Sequence, residues 1–400
     1  MSLRVLINAG PWLPVPPDGY GGIENIVAAL VPELRRRGVH VVLATIGQST
    51  LEADEVLSVY DEPQFAQLLR PYNRVMGIAA AHVQRVLAEL RARNDIDLVH
   101  DHLEVVGPAM LGAAGEQVPP VLHTLHWDLA KHPEFYGAFD GRGRVRVNGV
   151  SARQLLHAPD ALRAHSVGHV HLATPLAEHA DQRTGPGKAE YAVVLGRVTP
   201  AKGQHVAACQ ARRRGIDLVL AGPIGPYRTP EALERGLATD PEATRHPDVR
   251  YWCDQVRPHV DGRRVRWVGS LGAAARDELV ARAMATVFPL HWEEPGGTAV
   301  VESLALGTPV VGYRRGCLPE LIDEGRTGLL VDPGDEDALV ACLTRASELS
   351  SAACRAAAAE RFTPAVMARR YLRLYETVLD GTRPAHPRRV GGSRVAAAAL

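Results

Sequence analysis

Four patterns follow one another inside the first 44 positions: an apolar run at 3–9 (LRVLINA), a Pro/Gly-rich loop at 11–22 (PWLPVPPDGYGG), apolar residues at helical spacing over 23–37, and a second apolar run at 39–44. Strand, glycine loop, helix and strand at this spacing make a βαβ unit. That unit requires a parallel sheet with right-handed crossovers. The pattern continues with a helix at 76–93 and strands at 96–100 and 121–124, and it restarts at 191. There a strand (191–195), a loop (196–203), a helix (204–214) and a strand (217–221) lead to further strands at 265–268, 285–288 and 309–312, with helices at 273–284 and 298–306. The chain therefore reads as α/β, two doubly wound parallel-sheet halves joined by the polar, Gly/Pro-broken segment 181–188 (DQRTGPGK). The expected division is 1–182 and 189–363, then an amphipathic helix to 380 and a flexible tail over 381–400. Residues 130–165 carry no pattern that assigns an element.

Composition narrows the function. Lys+Arg 45 balances Asp+Glu 45, so no global field selects nucleic acid, and any anion must be caught by local geometry. No apolar run reaches the roughly 20 residues of a membrane helix, which argues against stable membrane insertion. The five cysteines (209, 253, 317, 342, 354) show no CxxC spacing. They fit a reducing compartment, and a cytoplasmic location is expected.

Three constellations sit in loops that follow strands. Arg197 and Lys202, in GRVTPAKG, flank a strand-to-helix turn, where a planar guanidinium and a mobile ammonium either grip one phosphate group or stand as two solvated cations. In HWEEPGGTAVVE (291–302), Gly296 and Gly297 admit close approach of a ligand to backbone, and the amides of Thr298 and Ala299 open a helix suited to a diphosphate. Glu302 lies one turn beyond Thr298, where its carboxylate can accept two ribose hydroxyls; taken singly, Glu294 reads as part of a cap and Glu302 as an ordinary helix residue, and only the whole constellation points to a ligand. Gly21-Gly22-Ile23-Glu24 is no dinucleotide fingerprint and reads as open amides or as a flexible turn. The pairs His100/His102 and His123/His126 lack further ligands at structural-zinc spacing, so no metal is assigned. His165, His169 and His171 receive no role.

Taken together, GRVTPAKG at 196–203, EPGGTAVVESLALGTPVV at 294–311 and GGIE at 21–24 resemble the retaining family 4 glycosyltransferases of GT-B fold. The resemblance implies two Rossmann-like domains facing a central cleft, with a C-terminal helix (364–380) crossing back to the first. It implies a nucleotide-diphosphate sugar donor, UDP favoured, and no cofactor. Arg197 and Lys202 would neutralise the diphosphate, and Glu294 with the Gly296 and Gly297 backbone would hold the donor sugar. Thr298 and Ala299 would meet the distal phosphate, Glu302 the ribose and Leu271 the base. His126, in TLHWD, would contact the donor sugar, and Gly22 would face the phosphate or acceptor. The expected acceptor is a hydroxyl of a secondary-metabolite oligosaccharide, of the orthosomycin (avilamycin) type, met by the N-terminal half, where Trp12 and Tyr20 either stack on it or pack inside. A cell-envelope glycan and a non-catalytic nucleotide-sugar sensor are the alternatives. Two departures stand out: the segment before the second sheet is short, and Gly296 replaces the Phe of many members, which predicts a roomier sugar pocket. Asp95-Ile96-Asp97 mimics the metal-binding DxD of the other major glycosyltransferase fold.

Overall fold

The computed structural model describes residues 2–19 and 21–382, so Tyr20 and the expected tail from 383 onward lie outside the described residues. The first sheet has seven parallel strands: β1 (Arg4–Asn8), β2 (His40–Thr45), β3 (Glu55–Ser58), β4 (Leu98–Asp101), β5 (Val121–Leu125), β6 (Val145–Gly149) and β7 (Ser166–His169), in the order β3-β2-β1-β4-β5-β6-β7. The second has six: β8 (Tyr191–Leu195), β9 (Asp217–Ala221), β10 (Val265–Trp267), β11 (Ala285–Phe288), β12 (Val310–Tyr313) and β13 (Gly328–Val331), in the order β10-β9-β8-β11-β12-β13. Each order reverses once, between β1 and β4 and between β8 and β11. Such a reversal splays the following loops apart and opens a crevice at the carboxyl ends of the strands.

The central strands are buried on both faces, which explains their continuous apolar runs: Val5, Leu6 and Ile7 are fully enclosed, as are Val193, Val287 and Val311. Sequence patterning missed β3, β6, β7 and β13. Each is four or five residues long, too short to display a period, and β3 and β7 are edge strands only partly buried. Within 130–165, where no element was assigned, lie β6 and the short helices Pro133–Gly137, Ala152–Leu156 and Asp160–Arg163.

The last helix, Pro364–Thr382, packs on the first sheet rather than the second. Tyr371, Tyr375, Met367 and Val378 share a core with Ile26, Leu30 and Val5. The Tyr375 hydroxyl bonds His100 Nδ1 at 2.8 Å, and His100 Nε2 meets Thr124 Oγ1 at 2.8 Å, so His100 ties this helix to the sheet. The chain enters the second half upstream of the polar segment 181–188: Ala177 is buried beside Phe288 and Leu304, and Thr174 donates its amide to Phe362 O at 3.0 Å. The DxD look-alike lies at the start of β4, remote from the cleft. Asp95 pairs with Arg93 at 2.6 Å and Asp97 accepts the Arg4 amide at 2.8 Å, so both are structural.

Candidate active site

The second-half face of the cleft is built at the β8/β11 reversal. The loop after β8 is compact because Gly222 packs on Gly196; a Cβ on Gly222 would stand 2.0 Å from Gly196 O. Gly203, at φ 70°, lets this loop close on the loop after β11, and the His291 amide then donates to Ala201 O at 2.9 Å. That bond joins the two motifs. Lys202 Nζ forms an ion pair with Glu294 Oε2 and lies 5.2 Å from the Trp292 ring. Arg197 is exposed and has neither hydrogen bond nor ion pair for its guanidinium among the described residues.

The turn before the helix Thr298–Ala305 is equally constrained. Gly297 caps this helix at φ 62° and offers no side-chain cap, so the amides of Thr298 and Ala299 open toward the cleft. Glu294 is braced from behind, since the Cys317 amide donates to its carbonyl at 2.8 Å. One turn into the helix, Glu302 is largely buried, and that burial raises its carboxyl above the usual range while Arg276 NH1, 3.8 Å away, opposes the rise. Leu271 is half-buried in the loop just ahead of the helix Ala273–Arg282, which carries Arg276. Arg276 had no signal in the sequence, because its contact with Glu302 spans 26 positions and two elements.

The first-half face is formed at the ends of β1, β4 and β5. Gly22 starts the helix Gly22–Arg36, is exposed, and has open space where a side chain would stand. His126 Nε2 bonds His102 Nδ1 at 2.8 Å. Burial, reinforced by His123, drives His126 down to about 3, so its ring is neutral at neutral pH and serves as a hydrogen-bonding group rather than a proton-carrying acid. Beneath it Asp101, fully buried, receives His123 Nδ1 at 2.6 Å and Asn8 Nδ2 at 2.6 Å. Of the two readings open for Trp12, packing is the one seen, since it lies in part against the core beneath the first sheet.

The two faces are clasped together. Ser151 Oγ, completely buried, donates to Pro295 O at 2.7 Å while accepting the Gln154 amide as the cap of the helix Ala152–Leu156. Glu320, from the second half, accepts the Ala152 and Arg153 amides at 2.9 and 2.6 Å and meets His171 Nε2 at 3.0 Å. His169, His171 and Glu320 bring three potential ligand atoms within 4.8 Å. Two backbone amides already occupy that carboxylate, and Arg370 stands 3.3 Å from His171 Nδ1, so the trio reads as a clasp. Gly296 belongs to the same seam. A Cβ there would lie 2.5 Å from Leu172 Cδ1 and 3.1 Å from Val150 Cγ2. The roomier sugar pocket expected from this glycine is therefore not found: the space is filled from the first half, and glycine is needed so that the halves can meet.

With this geometry in hand, known proteins place the chain. The family model for glycosyl transferases group 1 matches residues 177–361, and that for Glycosyltransferase Family 4 matches residues 20–177. The glycogen synthase of Mycobacterium tuberculosis is 28% identical over 274 residues, covering 66% of this chain, and the chain spans only 63% of that protein's length. The D-inositol 3-phosphate glycosyltransferase of Corynebacterium efficiens is 28% identical over 366 residues, 79% of each chain. The crystal structure of AviGT4, a glycosyltransferase involved in avilamycin A biosynthesis, superimposes with a TM-score of 0.62 at 27% identity over 95% of this chain and 98% of that one. Two adjoining family models, two parallel sheets facing one cleft and the paired motifs at the second switch point lead to one conclusion: the chain belongs to the family 4 glycosyltransferases of GT-B fold.

Proposed function

We propose that the protein is a metal-independent, retaining glycosyltransferase that moves a sugar from a nucleotide-diphosphate sugar to a hydroxyl of a secondary-metabolite oligosaccharide. One observation carries the reading: Arg197, whose guanidinium has no partner among the described residues, Lys202, paired with Glu294, and an uncapped helix start at Thr298 all lie in the loops at the second switch point. Cleavage of the nucleotide–sugar bond builds negative charge on the diphosphate, and fixed cations and amides stabilise that charge without reorganising. An arriving phosphate competes for Lys202 and frees Glu294 for the sugar hydroxyls beside the Gly296 and Gly297 backbone. Glu302 takes the ribose. Neutral His126 bonds the sugar, and Gly22 brings an open amide from the other half. The acceptor hydroxyl attacks on the face the nucleotide leaves, and a phosphate oxygen takes its proton, so configuration is kept without a covalent enzyme intermediate.

UDP as the nucleotide, with Leu271 against the base, rests on the family resemblance. The secondary-metabolite acceptor is supported by the likeness to AviGT4, while the glycogen synthase and inositol phosphate enzymes among the relatives keep other acceptors in play, a cell-envelope glycan among them. A cytoplasmic site of action is supported by five free cysteines, and no described helix is long and apolar enough to cross a membrane. Calorimetry with UDP, GDP, ADP and dTDP tests the donor site, followed by NMR assignment of the anomeric configuration of the product. Binding of none of the four diphosphates overturns the proposal, and an inverted product overturns its stereochemistry. Tight binding with no turnover on any acceptor favours the nucleotide-sugar sensor.

A further inference from the structure

Behind His126 lies a buried histidine that the mechanism above leaves unused. His102, 1% exposed, stands one residue beyond β4, and its Nδ1 lies 2.8 Å from His126 Nε2. The two ring centroids are 5.1 Å apart with planes inclined by 29°, so the imidazoles meet edge to edge along this bond. Burial holds both rings neutral near neutral pH, and a neutral imidazole carries a single N–H. One ring therefore donates and the other accepts. The far nitrogen of His102, Nε2, is buried and has no partner among the described residues. The adjacent His100 ring, its centroid 4.1 Å away, is committed elsewhere, with Nδ1 on the Tyr375 hydroxyl and Nε2 on Thr124 Oγ1. His126 is half-buried, and its Nδ1 carries no bond among the described residues.

We propose that His102 is a positioning residue that fixes His126 as its Nδ1–H tautomer, so that His126 meets its ligand as a hydrogen-bond donor and not as a proton-accepting base. The proposal rests on the glycosyl-transfer reading and specifies what His126 does within it. Two arrangements satisfy the bond between the rings. If His126 donated from Nε2, His102 would carry its own proton on the enclosed Nε2, an orphaned buried N–H, and His126 Nδ1 would be a bare lone pair. If His102 donates from Nδ1, its enclosed nitrogen holds no hydrogen, and the N–H of His126 sits on the nitrogen left free. Buried N–H groups without an acceptor are rarer in proteins than acceptors short of a donor, which selects the second arrangement. Accepting from His102 also polarises the His126 ring and strengthens its Nδ1–H as a donor. With Nε2 occupied and Nδ1 protonated, His126 has no lone pair for the proton of an attacking hydroxyl. It can hold a sugar or phosphate oxygen, and the proton is left to the departing phosphate.

The test is 15N NMR of the histidine rings in the full chain at neutral pH without ligand, since protonated and bare ring nitrogens resonate far apart. His102→Ala and His126→Ala assign the two rings by the loss of their signals. Both rings are expected to show a protonated Nδ1 and a bare Nε2. His102→Ala should reverse the His126 pattern toward the Nε2–H form that unconstrained imidazole prefers. His102→Asn, whose amide can donate from near the place of Nδ1, should keep His126 as the Nδ1–H form. A packing role alone would move neither pattern. A protonated Nε2 on either ring of the unsubstituted chain, an unchanged His126 in His102→Ala, or the same reversal in His102→Asn overturns the proposal. If circular dichroism shows that the alanine variant does not fold, the unsubstituted chain and the asparagine variant still decide it. Absence of UDP binding to the unsubstituted chain, read separately by calorimetry, is a different failure and falls on the glycosyl-transfer reading itself.

Discussion

The two halves of the cleft carry the same three residue types wired in opposite ways. On the second half Lys202 pairs with Glu294 beside Trp292; on the first, Lys131 lies over Trp127 with Glu104 nearby. Both indole N–H groups are buried without a partner among the described residues. The difference lies in what surrounds each trio. On the second half Arg197 has no partner among the described residues and the helix start at Thr298 and Ala299 has no side-chain cap, whereas on the first half Glu104 and Asp128 both act on Lys131. Lysine, glutamate and tryptophan thus specify no ligand by themselves. Their surroundings, in charged neighbours and in free backbone amides, are what differ between the two halves.

The largest expected effect falls on the second half. Arg197→Ala or Lys202→Ala should lower kcat by about 10²–10³-fold, the usual cost of removing one preorganised donor from a developing anion. Circular dichroism and melting temperature should be unchanged. Wild-type turnover in either variant would show that the anion is not held there.

Closing the seam comes next. Gly296→Phe drives a ring into Leu172 and Val150, and it should cost about 1–3 kcal/mol as overpacking, or push the halves apart. Thermal unfolding and small-angle scattering distinguish the two, and an unaltered melting temperature and radius of gyration would contradict the seam. Ser151→Ala removes a buried donor to Pro295 O and a helix cap together, about 1–3 kcal/mol in all, and should weaken nucleoside diphosphate binding through a looser Gly296–Gly297 turn. Ser151→Thr keeps the hydroxyl and should restore affinity.

The smallest effect is a pH dependence that separates the halves. Burial lowers His82 to about 4 and His126 to about 3, and it lowers His100 and His102 as well, all on the first half. The unfolded chain therefore binds more protons than the folded one below the ordinary histidine value of 6.5, and stability falls as pH drops from 6.5 toward 4. Glu24 and Glu104, both raised by burial to about 7, act in the opposite sense between 4.5 and 7, but they are outnumbered. Urea midpoints at pH 7.5 and 5, read by hydrogen exchange on each sheet, should fall further for the first sheet than for the second. Equal shifts would remove this asymmetry.

Much of this molecule is legible in its sequence. The βαβ order, the restart at 191 and the motifs at 196–203 and 291–302 are local patterns, since helical spacing, buried apolar runs and glycine turns are properties of neighbouring residues. For that reason β8, β9, β11 and the helix Gln204–Arg214 fall on their expected residues. Other features had no local signal. The Ser151–Pro295 bond spans 144 positions, Glu320 caps a helix 168 positions away, and Gly296 is small because Leu172 fills its space. His102 and His126 meet only because β4 and β5 are neighbours. The sequence by itself determined that the chain folds as two doubly wound halves and which strand-to-helix loops carry the paired motifs, because strand, turn and helix preferences act over a few residues. Tertiary structure alone decided which side chains meet across the cleft, since strand order and the closure of two independent cores are set by packing that no short window contains.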